Sequence, residues 1–76
     1  MSTLCIVEHH ICGLPVRWVM GHVVTRGELV ALAWTPESVL AERMEESKGM
    51  ALVAMINCLA RDQHLLLSKV HVVRLR

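Results

Sequence analysis

The residues best able to do chemistry lie near the start of the chain, where Cys5, His9, His10 and Cys12 fall within eight residues. Thiolate and imidazole are the ligands that zinc prefers, and four of them complete a tetrahedral structural site. Structural zinc sites usually join two short ligand pairs from separate segments, however, and adjacent residues of a strand point to opposite faces. We therefore expect no bound metal here, and a zinc-binding protein that uses these four residues is kept as an alternative.

Catalysis has little support in the remaining residues. A nucleophile needs a base and an orienting group beside it, and Cys12 with His9 or His10 is the one local candidate. The chain has a single aspartate, Asp62, and it has no glycine-rich phosphate loop. We expect a non-enzymatic protein that needs no cofactor and no small-molecule substrate.

Nucleic-acid binding is a second alternative. Arg17, Arg26, Arg74 and Arg76 are placed to line a sheet edge, and Trp18 could stack on a base. A formal net charge of +1, with two tryptophans and no Phe or Tyr, makes a weak electrostatic and stacking surface. A small nucleic-acid-binding regulator is therefore a less favoured hypothesis.

The composition favours a protein that binds another protein. With 76 residues, of which 54% are hydrophobic, the chain has room for one small domain over 1–76 and more apolar surface than so small a core can bury. Trp, Met and Arg, which are enriched at interfaces, number two, five and six, whereas the chain has only two lysines. We expect the surplus apolar surface to face a second copy of the chain or another protein.

The cellular compartment follows from the cysteines and from the apolar stretches. Three cysteines are an odd number, and the first residues lack the apolar core of a secretory signal, which favours reduced thiols in the cytoplasm. The longest stretch without Asp, Glu, Lys or Arg is 49–60, which is shorter than the roughly 20 residues of a membrane-spanning helix. We expect a cytoplasmic protein that does not enter the membrane.

Three strands are predicted in the first half of the chain. The ranges 3–8, 16–24 and 29–34 are rich in Val, Ile, Leu and Trp and are separated by short segments with Gly13 and Gly27. Short loops can join only antiparallel neighbours, so these strands form a three-stranded antiparallel meander. His9 and His10 are assigned to the first turn.

The second half predicts one helix and a final strand. Thr35, Pro36 and Glu37 have the residue types of a helix start, and apolar residues recur near the helical period to about residue 61, with Lys48-Gly49 as a kink or break. The range 65–75 is rich in β-formers. The prediction is an α+β fold of order β-β-β-α-β, with four strands, one long helix on one face and an uncovered face apolar enough to need a second layer.

These patterns assign residues to two surfaces. The predicted partner-binding residues are Arg17, Trp18, Glu42, Glu45, Glu46, Arg74 and Arg76. The predicted dimer-interface residues are Met50, Met55, Val70 and Val72. The preferred function is a small protein-binding module, an adaptor or inhibitor, that occupies a surface of a larger macromolecular complex and forms a homodimer. Small inhibitors made by phages and mobile elements against host machinery, including defence complexes, fit this description by their size.

Overall fold

The computed structural model of the protein describes residues 3–62 and 68–75. Over that part, the chain forms an α+β fold, which confirms the predicted fold class. The elements are β1 (Leu4–Ile11), β2 (Arg17–Thr25), β3 (Glu28–Thr35), β4 (Met44–Glu45), α1 (Glu46–Asp62) and β5 (Ser68–Arg74). No helix among these residues combines the length and the apolar character needed to cross a membrane.

Strand β1 lies at the centre of the sheet, and all of its neighbours are antiparallel to it. One edge pairs with β5 over most of the strand, from Cys5 opposite Arg74 to Ile11 opposite Ser68. The other edge is shared: β4 pairs with its first residues, and β2 pairs with it at Glu8 and His9. Within residues 3–62 and 68–75 the sheet therefore has five strands rather than the predicted four, and β4 is the additional one.

Helix α1 covers one face of this sheet. Cys5 and Val7 are fully buried on that face, in a core that includes Leu52 and Ile56 of the helix. Gly49 lies where α1 crosses β1, and a Cβ atom built on it would be 2.5 Å from Cys5 Sγ. The helix is continuous through this residue, so it does not break at Lys48-Gly49, and the glycine serves a close approach between helix and strand.

The predicted start of the helix at residues 35–37 is wrong. Thr35 ends β3, and its Oγ1 accepts a hydrogen bond from the Glu37 N–H (3.2 Å), but only a single 3-10 turn, Ser38–Leu40, follows. The chain then becomes extended, and the Glu42 N–H donates to the Val19 carbonyl oxygen (2.8 Å). Pairing with the sheet thus replaces the helical bonds of this segment, and α1 begins only at Glu46.

Two strand boundaries also differ from the prediction. β1 continues through His9 and His10, which therefore lie in the strand and not in the turn; the turn is made by residues 12–14, where Gly13 has a φ of 81°. β5 begins at Ser68, and the predicted strand residues 65–67 lie outside the described residues. The uncovered face is mixed rather than apolar throughout, because Glu8, His10 and His71 lie there beside the apolar residues Ile6 and Val73 of the same two strands.

Candidate functional site

The polar cluster, which we define as Glu8, His10, His71 and Trp18, lies on the sheet face opposite α1. Glu8 and His10 are two residues apart on β1, so their side chains share a face, and the β1–β5 register places His71 directly opposite Glu8. Glu8 Oε1 lies 3.1 Å from His71 Nε2 and is also bound by His10 Nε2. The two imidazole rings stack with centroids 5.0 Å apart and converge on one carboxylate oxygen, which brings three potential metal ligands together.

The second oxygen of Glu8 is held by the neighbouring strand. Trp18 of β2 lies opposite Glu8 on the other edge of β1, and its Nε1–H donates to Glu8 Oε2 (3.0 Å). Burial by itself raises the pKa of the Glu8 carboxyl, but the hydrogen bonds from His10 and Trp18, together with the charges of His10 and His71, hold it below its usual value. The cluster therefore presents an ionised carboxylate between two imidazoles.

His9 belongs to a different cluster on the helix-covered face. It is buried, its ring lies 4.9 Å from that of Trp34, and its Nδ1 accepts a hydrogen bond from Arg17 Nε (2.9 Å). The Arg17 guanidinium also lies 4.3 Å from the Trp34 ring centroid. Burial lowers the pKa of His9, and the positive charges of Arg17 and His10 lower it further, which favours the neutral ring.

The four residues weighed as zinc ligands in the sequence do not converge. Cys5 and His9 lie on the helix-covered face of β1, His10 lies on the opposite face, and Cys12 is exposed in the turn. Cys5 is fully buried beneath α1, and its thiol lies 3.7 Å from the Glu45 carbonyl oxygen. Burial, with a smaller contribution from the Glu46 charge, raises the pKa of the Cys5 thiol, so this residue behaves as a core side chain.

An apolar groove runs along the outer side of β5 and beneath α1. This edge groove, of about 700 Å³, is lined by Glu46, Met50, Val53, Val70, His71, Val72, Val73 and Arg74. Met50 is 59% exposed, although it is a large apolar residue. The Arg74 guanidinium lies 2.8 Å from a Glu46 carboxylate oxygen, and both residues line the groove.

The backbone of β5 has free hydrogen-bonding groups along this groove. The Leu75 N–H donates to the Leu4 carbonyl oxygen (2.9 Å), and residues of an antiparallel strand bond alternately to either side. Val73 and His71 therefore bond to β1, whereas Val70, Val72 and Arg74 direct their N–H and C=O groups outward. Among the described residues, no strand pairs with this outer edge.

Several predicted interface residues meet in the edge groove. They are Glu46, Met50, Val70, Val72 and Arg74, drawn from both predicted surfaces. Other predicted partner-binding residues lie elsewhere: Arg17 and Trp18 are half-buried in the clusters described above, Glu42 binds His22 (2.6 Å), and Glu45 is exposed on β4. Met55 is half-buried in α1, and Arg76 lies outside the described residues.

Glu8 and His71 are the site residues that the sequence analysis missed. The pattern Glu8-x-His10 is a usable signal, because it places a carboxylate and an imidazole on one face of a strand. His71 is distant in sequence, and only the β1–β5 register brings it opposite Glu8. Tertiary pairing of this kind is not visible in local periodicity.

Two features thus offer binding chemistry, and both include β5: the polar cluster on the uncovered face and the edge groove beside α1. His71 contributes to both. A comparison of the chain with models of protein families, with curated proteins and with solved structures finds no match in any of the three.

Proposed function

We propose that the chain is a non-enzymatic protein-binding module that works by occupying a surface of a larger macromolecular complex. The observation that carries this proposal is the outer edge of β5, where unpaired backbone groups run beside an apolar groove. An extended segment of another protein can add itself to such an edge, with its backbone bonded to the strand and alternate side chains in the groove.

The charge of β5 indicates which residue types the added strand should have. Lys69 and Arg74 lie near its two ends and are exposed, and no acidic residue occurs in Ser68–Arg74. Between them, Val70 and Val72 present apolar side chains toward the groove. The occupant that fits best is an extended segment with apolar residues at alternate positions and acidic residues at its ends. A second copy would bring a further positive charge, that of its own Lys69, to the same edge, which disfavours it, whereas its Arg74 would be paired with its Glu46.

In this role the chain acts by steric block or by joining one protein to another. Small cytoplasmic inhibitors that phages and mobile elements direct at host machinery are the class that this proposal favours. Its support is the open edge of β5 and the exposed Met50 side chain. Methionine adapts its shape to different partner surfaces, which suits a docking groove.

Selection from a library of random ten-residue peptides, with Met50→Glu and Leu59→Glu variants, tests the proposal. Both residues are exposed apolar side chains of α1, but only Met50 lines the edge groove. We expect selected peptides to alternate apolar residues between acidic ends. We expect Met50→Glu to weaken their binding at least about tenfold through desolvation and repulsion of the new charge, and Leu59→Glu to leave it unchanged.

Hydrogen exchange of the complex locates the bound segment. Slower exchange of the Val70, Val72 and Arg74 amides on peptide binding is the expected result, because these are the groups that an added strand would bond. Peptides that bind both variants equally, or that protect another surface, would refute the proposal. The predicted homodimer has a distinct signature: a dimer in the native mass spectrum of the purified chain, with the same amides protected before any peptide is added, would assign the edge to a second copy instead.

A further inference from the structure

We propose that Glu8, His10 and His71 form a binding site for a divalent transition-metal ion, for which Zn²⁺ is the best match. The three donor atoms, one from each residue, lie within 4.8 Å of one another on the uncovered face of the sheet. This site differs from the Cys and His set considered in the sequence, with which it shares only His10. The proposal does not depend on the proposed docking of a protein strand, although His71 also lines the edge groove.

The donor types match the metal. Two imidazole nitrogens and one carboxylate oxygen are a set that Zn²⁺ accepts, at about 2.0–2.2 Å from each donor. Donors arranged tetrahedrally at that radius are about 3.3–3.6 Å apart. Glu8 Oε1 and His71 Nε2 are already 3.1 Å apart, so only side-chain rotations are needed to place the ion among the three donors.

The backbone positions these ligands before a metal binds. Glu8 and His10 are fixed on one face of β1, and His71 is brought opposite Glu8 by strand pairing. A site built on paired strands has little conformational freedom to lose when the ion binds. Such a site is therefore better organised before metal binding than a site that includes a turn residue such as Cys12.

Trp18 makes the kind of hydrogen bond to a metal-ligating side chain that metal sites commonly have. Its Nε1–H holds Glu8 Oε2 at 3.0 Å, which turns Oε1 toward the two imidazoles. Hydrogen bonds to a ligating carboxylate fix its orientation, and their loss typically weakens metal binding by roughly 10–100-fold. The three protein ligands leave a fourth tetrahedral position for water or for a side chain of a docked protein.

The test is titration of the full chain with Zn²⁺, by calorimetry, in a Cys12→Ser/Cys58→Ser background. Those two thiols are exposed and would otherwise bind zinc themselves. We expect one equivalent to bind. His71→Gln and His10→Gln should each weaken binding at least about 100-fold, because each removes a ligand and even a hydrogen bond to a ligand contributes roughly 10–100-fold. Trp18→Phe should weaken Zn²⁺ binding by roughly 10–100-fold. Circular dichroism confirms that each variant is folded.

His22→Gln is the matched control, because His22 also binds a carboxylate, that of Glu42, on a different part of the sheet. It should bind Zn²⁺ as the parent does. Co²⁺ provides a readout that does not depend on variants: a tetrahedral site gives strong visible absorption, which Zn²⁺ then removes. Binding of no more than a trace of metal, or binding unaffected by His71→Gln, would overturn the proposal and leave the cluster as an ion-paired surface feature only.

Discussion

At the scale of single residues, two adjacent histidines of one strand have very different environments. His9 and His10 are neighbours, yet His9 is buried against Trp34 and Arg17, whereas His10 lies on the other face and binds Glu8. The alternation of a β-strand is the cause. Adjacent histidines of this kind belong to separate sites, although they look like a pair in the sequence.

The environment of His9 predicts a loss of stability at mildly acidic pH. Burial and the nearby positive charges of Arg17 and His10 lower its pKa, so the unfolded chain takes up this proton more readily than the folded chain does. Its contribution to stability is complete above the unfolded pKa of about 6.5 and is lost as pH falls from there toward the lower folded value. The free energy of unfolding, measured by urea denaturation, should fall by at most about 1.4 kcal/mol per pH unit from this group.

His9→Gln should remove this part of the pH dependence, because glutamine keeps an acceptor for Arg17 without a titrating ring. His22→Gln, which changes a residue outside the cluster of His9, Trp34 and Arg17, should leave this pH dependence unchanged. An unchanged slope between pH 7 and pH 5.5 in His9→Gln would show that another group controls acid unfolding. The lowered pKa of Glu8 contributes a separate stabilisation. This contribution is complete above the usual carboxyl range and is lost only at lower pH, so it does not change within that window.

At the scale of secondary-structure elements, the contact between α1 and β1 depends on the absence of a side chain at Gly49. Glycine normally destabilises a helix interior by about 1 kcal/mol relative to alanine. Here a Cβ would lie 2.5 Å from Cys5 Sγ, and the Cys5 side chain has no room to move because it is fully buried. The close approach of helix and strand therefore outweighs helix propensity at this position.

Gly49→Ala should accordingly destabilise the protein by about 1–3 kcal/mol, the usual cost of overpacking a core. Asn57→Ala, at an exposed position of the same helix, should be neutral or slightly stabilising. A double-mutant cycle with Cys5→Ala isolates the clash, because removing Sγ makes room for the new methyl group. The double variant should be more stable than the sum of the single effects by more than about 0.5 kcal/mol, measured by thermal and urea unfolding. Additive effects would refute the assigned contact.

Sequence reasoning recovered those elements whose residues follow a local period and missed those determined by distant pairing. The meander, the apolar half of the helix and the final strand follow from alternation and helical spacing. Thr35 and Pro36 have the residue types of a helix start, and Thr35 Oγ1 does accept a hydrogen bond from the Glu37 N–H. The helix does not continue, however, because the Glu42 N–H bonds to the Val19 carbonyl oxygen of β2. The same limit explains why the polar cluster was missed, because His71 joins Glu8 only through the sheet.

At the scale of the whole molecule, the sheet is unevenly supported. β1 has neighbours on both edges and a helix on one face. In the part of the chain that the structure describes, the half of the β2–β3 hairpin nearest its turn pairs only within the hairpin. Its two-residue turn, Arg26-Gly27, has positive φ at both positions (53° and 78°), the type I′ geometry that matches the twist of a hairpin. Register shifts near Met20 and Val30 bend this ribbon, and Leu29 and Leu32 pack against the core.

This arrangement predicts a gradient of local stability across the molecule. A two-stranded ribbon is marginally stable in water, so hairpin amides near Val23 and Ala31 should exchange through local opening, whereas those of β1 should require global unfolding. Native-state hydrogen exchange should therefore show the β1 amides as the slowest, by about tenfold or more. Leu29→Ala should accelerate exchange in the hairpin alone, because it removes a contact to the core, and Val30→Ala, whose side chain is 60% exposed, should not. Equal protection of hairpin and β1 would mean that the ribbon unfolds only together with the core, and the molecule would then be one cooperative unit without a separately opening arm.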